Sequence, residues 1–242
     1  MQRLAPFLLD LIFPTHCLSC NAITERNDTH LCSNCIENII NIEAYCIKCG
    51  SMTQTIQTTC TNCYKKNLNF KKNFSLFSYD SSITKILKKL KFTPSDFLMS
   101  KLDIFYNIFS SKTKVLAELD KCIQDIDFII PVPIHKNRLA QRGYNQAEVL
   151  ANIFAKVFNL VVKNNILKKE KNTRFMFGLK APERAKELSN AFKVSDSHQI
   201  KDKNILVFDD ISTTGVTLNT IAQILKKNGA KHVYGFSISK TS

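Results

Sequence analysis

The sequence predicts an α/β protein: a mainly parallel sheet flanked by helices, preceded by a small cysteine-rich module. Three stretches carry that expectation. Residues 203–217, KNILVFDDISTTGVT, pass from four apolar residues through two acids into a hydroxyl-rich loop. Residues 127–133, DFIIPVP, give a second apolar run that leads into a basic loop and then a helical pattern. Ahead of both, eight of the nine cysteines stand in four Cys-x-x-Cys pairs. Apolar runs of strand length alternating with helical patterns argue for βαβ units.

The stretch at 203–217 is the most specific. Ile205–Phe208 reads as a buried strand, and Asp209 and Asp210 as an acidic turn at its end. Ser212–Thr217 forms a tight loop. Leu218, Ile221, Ala222 and Leu225 then recur at helical spacing. A helix start presents unpaired amides and partial positive charge. Gly215 lets a ligand approach the backbone, and Thr213, Thr214 and Thr217 add hydroxyls. That set suits a phosphate monoester. The dipole supplies roughly 0.3–1 kcal/mol, about 2 if partly buried, so hydrogen bonds must supply the rest. Two adjacent carboxylates accept vicinal hydroxyls. A ribose 5-phosphate therefore fits, its hydroxyls on Asp209 and Asp210 and its phosphate on the loop. The glycine patterns of P-loops and dinucleotide folds are both missing from this loop.

At these residues the sequence resembles the phosphoribosyl pyrophosphate (PRPP) signature of type I phosphoribosyltransferases. The resemblance implies a type I phosphoribosyltransferase-like sheet.

Composition sets bounds. The 242 residues suffice for one large domain or a domain plus a small module. Lys+Arg 34 against Asp+Glu 20 gives a formal charge of +14, which favours polyanionic partners such as nucleic acid, phosphorylated substrates or an anionic membrane surface. No apolar run approaches the ~20 residues of a membrane span. LAPFLLDLIFP near the start is broken by Asp10 and bracketed by Pro6 and Pro14, so it reads as a short docking helix rather than a signal peptide. A cytoplasmic, reducing location follows, and the cysteines need an explanation other than disulfides.

That explanation is metal. Cys17/Cys20, Cys32/Cys35, Cys46/Cys49 and Cys60/Cys63 are four knuckles at similar intervals. Two knuckles complete one closed tetrahedral four-thiolate site, so four make two structural zinc sites. Sequential pairing closes the shorter loops; an interleaved pairing is the alternative. The segment is poor in large apolar residues, and zinc contributes roughly 10–16 kcal/mol in such modules. Cys122 stands alone and reads as a small core thiol.

After the knuckles, YKKNLNFKKNF mixes Lys65, Lys66, Lys71 and Lys72 with Tyr64, Phe70 and Phe74. Interleaving of this kind grips single-stranded nucleic acid. The plainer reading, a linker entering the strand FSLFSY with its aromatics buried, is favoured. SITKILKKLKF puts Ile83, Ile86, Leu87 and Leu90 on one helical face, with Lys85, Lys88, Lys89 and Lys91 elsewhere. Residues up to Phe109 read as helical, and 110–124 as a helix or connector. Behind DFIIPVP comes a loop with His135, Lys136, Arg138 and Arg142, where ligands sit in open α/β sheets. Arginine forks there suit a diphosphate. Asn145 caps the following helix. LVV and ILK within 159–172 read as strand pieces, Gly229 as a helix stop, and HVYGFSIS as a returning strand.

PVPIHKNRLAQRGYNQAEVLA resembles the ComF family, and so does the order of parts: zinc knuckles, YDSSITKILKKLKF, the RGYNQ loop and DDISTTGVT. The resemblance covers nearly the whole chain. It implies a double zinc ribbon over residues 1–72 and a phosphoribosyltransferase-like domain over 73–242. It implies binding of PRPP with Mg²⁺ in a protein assisting DNA uptake for natural transformation, or use of imported DNA. DNA-uptake or recombination proteins and single-stranded DNA are the implied partners. By residue, Arg138, Arg142, Gly143 and Asn145 match the family's basic loop, and Asp209, Asp210, Thr213, Thr214, Gly215 and Thr217 its PRPP loop. Asp209, Asp210 and Arg142 would carry catalysis. Residues 173–192 correspond to the flap of related enzymes, with Arg174, Lys180 and Arg184 as candidates. There the family's glutamine and asparagine are replaced by Met176 and Glu187, which puts turnover in question. A zinc-ribbon protein that binds single strands without catalysis is the alternative. A nucleobase salvage transferase is a third reading, disfavoured because it has no need of the knuckles.

Overall fold

A computed structural model describes residues 15–24, 30–39, 41–54, 59–64, 68–92, 103–171, 188 and 190–241. In chain order its strands are β1 (Thr15–His16), β2 (Ile23–Thr24), β3 (Asn73–Ser78), β4 (Phe128–Pro131), β5 (Leu167–Lys169), β6 (Phe192–Val194), β7 (Asn204–Ser212) and β8 (His232–Lys240). Its helices are α1 (Ser33–Glu37), α2 (Thr61–Tyr64), α3 (Ser82–Leu90), α4 (Asp103–Phe109), α5 (Lys114–Ile123), α6 (Lys136–Arg142), α7 (Gln146–Phe158) and α8 (Val216–Lys227).

The main sheet is wholly parallel, in the order β3-β8-β7-β4. β7 and β8 lie at its centre and are buried on both faces, which is why their sequences read as continuous apolar runs rather than alternating ones. Leu206 and Phe208 point to one face, Ile205 and Val207 to the other. On the first face Phe208 stacks on Phe236 at 5.1 Å. Phe154 of α7 packs on Phe236 at 4.7 Å, and Phe109 of α4 meets Phe154 edge-on at 5.2 Å. These aromatics tie α4 and α7 to the sheet. On the second face α8 buries Leu218, Ile221, Ala222 and Leu225, the four residues its periodicity selects. The antiparallel β5–β6 hairpin adds Leu167 and Phe192 to that core.

The cysteine-rich module sits along the β3 edge. Asn41 bridges Phe77 in antiparallel fashion, and the Ile42 amide donates to the Leu76 carbonyl at 2.8 Å. At the opposite edge, Val162 bridges Ile129 of β4. LVV is therefore a single bridge rather than a strand, while ILK becomes part of β5. Residues 110–124 settle as helix α5, capped by the Thr113 hydroxyl.

Phe70 and Phe74 are buried in the core. Lys72 is paired with Glu118 at 2.9 Å, and Lys71 lies over the Tyr234 ring. Of the strip read as a possible single-strand platform, Phe70 and Phe74 are thus turned inward, while Tyr64 and Lys71 stay exposed. Lys65 and Lys66, the docking helix near the start and the flap candidates Arg174, Lys180 and Arg184 lie outside the described residues.

Candidate functional site

A cleft of about 600 Å³ opens at the C-terminal edge of the sheet. All eight residues expected to bind PRPP line it: Asp209, Asp210, Thr213, Thr214, Gly215, Thr217, Arg138 and Arg142. Residues far apart in the chain converge because β4 and β7 are parallel neighbours, so their C-terminal ends release their loops on the same side.

Two local features differ from expectation. The acids do not form a turn: β7 continues through them to Ser212, with Asp209 in register with Ser237 of β8. Their side chains start on opposite faces, as the period of a strand requires. Each carboxylate then folds back on the backbone. Asp209 Oδ1 accepts from the Asp210 amide at 2.9 Å, and Asp210 Oδ1 from the Ile211 amide at 2.8 Å. The basic loop is also not a loop. It is helix α6, begun by His135, whose Nδ1 accepts from the Asn137 amide, and ended at Gly143 in the left-handed region (φ 78°). One turn of helix separates Arg138 from Arg142, so both reach the cleft.

Asn145 caps α7 as expected, its Oδ1 accepting from the Ala147 amide at 3.2 Å. Its Nδ2 also donates to the Val132 carbonyl at 3.1 Å, which fixes α7 to the end of β4. Gly215 adopts φ 73°, a conformation that side chains strain to reach, and opens α8. Among the described residues, no backbone acceptor takes the amides of Thr214, Gly215, Val216 or Thr217.

The cleft also holds residues to which the sequence reading gave no part in the site. Lys91, at the end of α3, lies 3.2 Å from Asp210 Oδ2; that oxygen gains charge pairing without an aligned hydrogen bond. Lys88 sits over the Tyr79 ring at 4.1 Å, and both line the cleft. Lys169 of β5 is a third cation there. Burial, then the Arg138 charge, pulls its ammonium pKa down to about 8, with Asp209 opposing. α3 reaches the cleft because its C-terminal carbonyls are taken by α7 and its approach: Gln146 Nε2 donates to Leu87 O at 2.9 Å, and the Tyr144 hydroxyl donates to Leu90 O. Periodicity shows which face of α3 is buried but not what its polar end meets.

The electrostatics are divided. Burial, then the neighbouring Asp210 charge, raises the Asp209 pKa well above the usual carboxylate range, and Lys91 only partly offsets this. Burial and the nearby Arg142 lower the Arg138 pKa. The site thus holds an acid that is costly to ionise beside cations that are costly to charge. An anionic, hydroxyl-bearing ligand with a divalent cation would relieve both. Hard carboxylate oxygens are the donor type Mg²⁺ takes.

The cysteines form two clusters, Cys17, Cys20, Cys32 and Cys35, then Cys46, Cys49, Cys60 and Cys63, with the sulfurs of each within 4.8 Å of one another. Pairing is therefore sequential. Cys20 and Cys32 sulfurs lie 3.7 Å apart, and Cys49 and Cys60 sulfurs 3.8 Å apart. A tetrahedron with Zn–S bonds near 2.3 Å has edges of about 3.8 Å, so the thiols fit zinc.

Comparison with known proteins matches two parts of the chain. Residues 8–65 match the double zinc ribbon domain, and residues 140–236 the phosphoribosyl transferase domain. "Competence protein F" of Haemophilus influenzae is 28% identical over 94% of this chain and 98% of its own length. "DNA utilization protein YhgH" of Salmonella typhimurium is 24% identical over 96% and 99%. "Competence protein ComFC" of Streptococcus pneumoniae is 28% identical over 89% and 90%. Among solved structures, a purine phosphoribosyltransferase from Pyrococcus horikoshii Ot3 is 17% identical over 57% of this chain and 72% of its own. Its TM-score is 0.31, too low to add to the sheet topology above. With both domain models matched in order and such relatives aligned over almost its full length, the chain carries a double zinc ribbon followed by a phosphoribosyl transferase domain, and in this arrangement it is similar to competence protein F, YhgH and ComFC.

Proposed function

We propose that the cleft binds PRPP with Mg²⁺ and that the protein serves the handling of imported DNA. The convergence of an acid pair, a threonine-glycine loop and basic residues from α6 on one sheet edge carries the reading. Thr213, Thr214, Gly215 and Thr217 take the 5-phosphate through backbone amides and hydroxyls. Asp209 and Asp210 take the ribose hydroxyls. Arg138 and Arg142 take the diphosphate, aided by Lys169. Asp209 and Asp210 would hold Mg²⁺, which would supply positive charge against the diphosphate.

In transfer, the bond from the anomeric carbon to diphosphate breaks, and its electron pair leaves with diphosphate. A nucleophile on the acceptor forms the new bond. Arg142 and Arg138 stabilise the charge gathering on the leaving group, and the acids favour the positive charge developing on the sugar. The division near residue 72 separates a structural metal module from this chemistry. Relatives named for competence and for DNA utilization support a role in DNA uptake or its use.

Calorimetry with PRPP and Mg²⁺ tests the proposal. Wild type should give saturable heat at one site, while Asp209→Asn/Asp210→Asn should give none. No heat from wild type would remove the PRPP assignment.

A further inference from the structure

Lys240 is the last residue of β8, and its position is unusual for a lysine. It is 3% exposed. Its Nζ donates to the Thr213 carbonyl at 3.2 Å and lies 3.7 Å from where a Cβ on Gly215 would stand. It therefore reaches beneath the threonine-glycine loop, not into solvent. A buried ammonium needs compensating charge. Burial lowers the Lys240 ammonium pKa, and the charges that oppose this are those of Cys49, Cys63, Cys60 and Cys46, the four cysteines of the second cluster. Four thiolates around one Zn²⁺ carry a formal charge of −2.

The same ribbon makes three further links, to β3 and to α8. Asn73 Nδ2 donates to the Cys49 carbonyl at 2.6 Å. Gly50, next in the knuckle, lies so close to β3 that an added Cβ would meet the Asn73 carbonyl at 2.7 Å. Beyond the last knuckle, the Asn69 amide donates to Asn219 Oδ1 in the first turn of α8 at 2.7 Å. The first cluster, on Cys17, Cys20, Cys32 and Cys35, has none of these links among the described residues.

We propose that Lys240 is a positioning residue that couples the second zinc cluster to the phosphate loop. The zinc–thiolate charge anchors the ammonium, the ammonium holds the Thr213 carbonyl, and the loop keeps its amides ready for an anion. Loss of the second zinc removes the countercharge and releases the loop; loss of the first does not. The inference rests on the loop being the phosphate site, but the coupling is measurable without any phosphate ligand.

Hydrogen exchange of the Asn219 amide, which the loop holds through the Gly215 carbonyl at 2.9 Å, followed in the full chain without PRPP, provides the test. Lys240→Met and Cys60→Ser should each speed exchange there by about tenfold, an opening free energy lower by about 1.4 kcal/mol. The strand Phe128–Pro131 should stay protected in both. Cys20→Ser should leave the Asn219 amide unchanged. Lys240→Met added to Cys60→Ser should have no further effect, and Lys240→Arg should restore part of the protection. Unchanged Asn219 exchange in Lys240→Met, equal effects of Cys20→Ser and Cys60→Ser, or additive effects in the double variant would overturn the coupling. Should Cys60→Ser fail to fold, Lys240→Met keeps every thiol and decides alone. Calorimetry on the same samples reads PRPP separately: binding without coupling, or coupling without binding, tells the two failures apart.

Discussion

Asp209 carries a carboxylate that the empty fold accommodates at a cost. Its folded pKa lies above its unfolded value, with burial and the Asp210 charge as causes. Such a group favours folding at low pH, and that contribution is lost as pH rises from the unfolded pKa through the folded one. Asp209→Asn keeps the acceptor for the Asp210 amide and removes the charge. The variant should therefore be more stable than wild type at pH 7, on the order of 1 kcal/mol or about 2–4 °C in Tm. The gap should close towards pH 4, and thermal melts across pH check it. Lys169 works the other way. Its ammonium is depressed to about 8, and a bound anion would raise it again. PRPP affinity should then be full below pH 8 and weaker by about tenfold at pH 9, whereas Lys169→Met should give a flatter and lower profile. A wild-type affinity that does not change between pH 7 and 9 would exclude Lys169 from the anion site.

At the scale of elements, β7, its loop and α8 were legible because their signals are local: an apolar run, a glycine and helical spacing. The same holds for α7, where Asn145 was readable as a cap. What the cap also does was not readable, because the Val132 carbonyl it holds lies 13 residues back. Asn145→Ala should cost about 1 kcal/mol for the cap and about 1 more for the second bond. Denaturant melts measure that, and PRPP binding should weaken with it as α6 loses its fixed exit. The acid turn was misread because strand pairing with β8, a long-range fact, extends β7 beyond its apolar residues. Lys91 and Lys240 were missed for the same reason. Both stand at element ends beside residues about 120 and 27 positions away, and no periodicity encodes such a meeting. α6 was taken for a loop because it buries no residue fully, which leaves no apolar stripe to read.

For the whole molecule, the metal module and the α/β domain share one core. Cys17, Cys35, Ile42 and Tyr45 pack in the same cluster as Phe208 and Phe236. The protein should carry two zinc ions per chain by elemental analysis. Stripping them with a chelator should lower the melting temperature of the α/β domain as well as that of the ribbons. Separate transitions, with the sheet melting unchanged, would mean the shared core contributes little.

The antiparallel contact of Asn41 and Ile42 with β3 has a further consequence. That contact shields the outer rim of the sheet, where amides and carbonyls would otherwise invite a strand from another chain. A metal-starved copy should lose this guard and recruit its neighbours rim to rim. Zinc supply would then govern how long the protein remains dispersed, apart from any effect on what it binds. Light scattering during chelation should show particle growth, slowed by lower protein concentration and stopped by restoring zinc early.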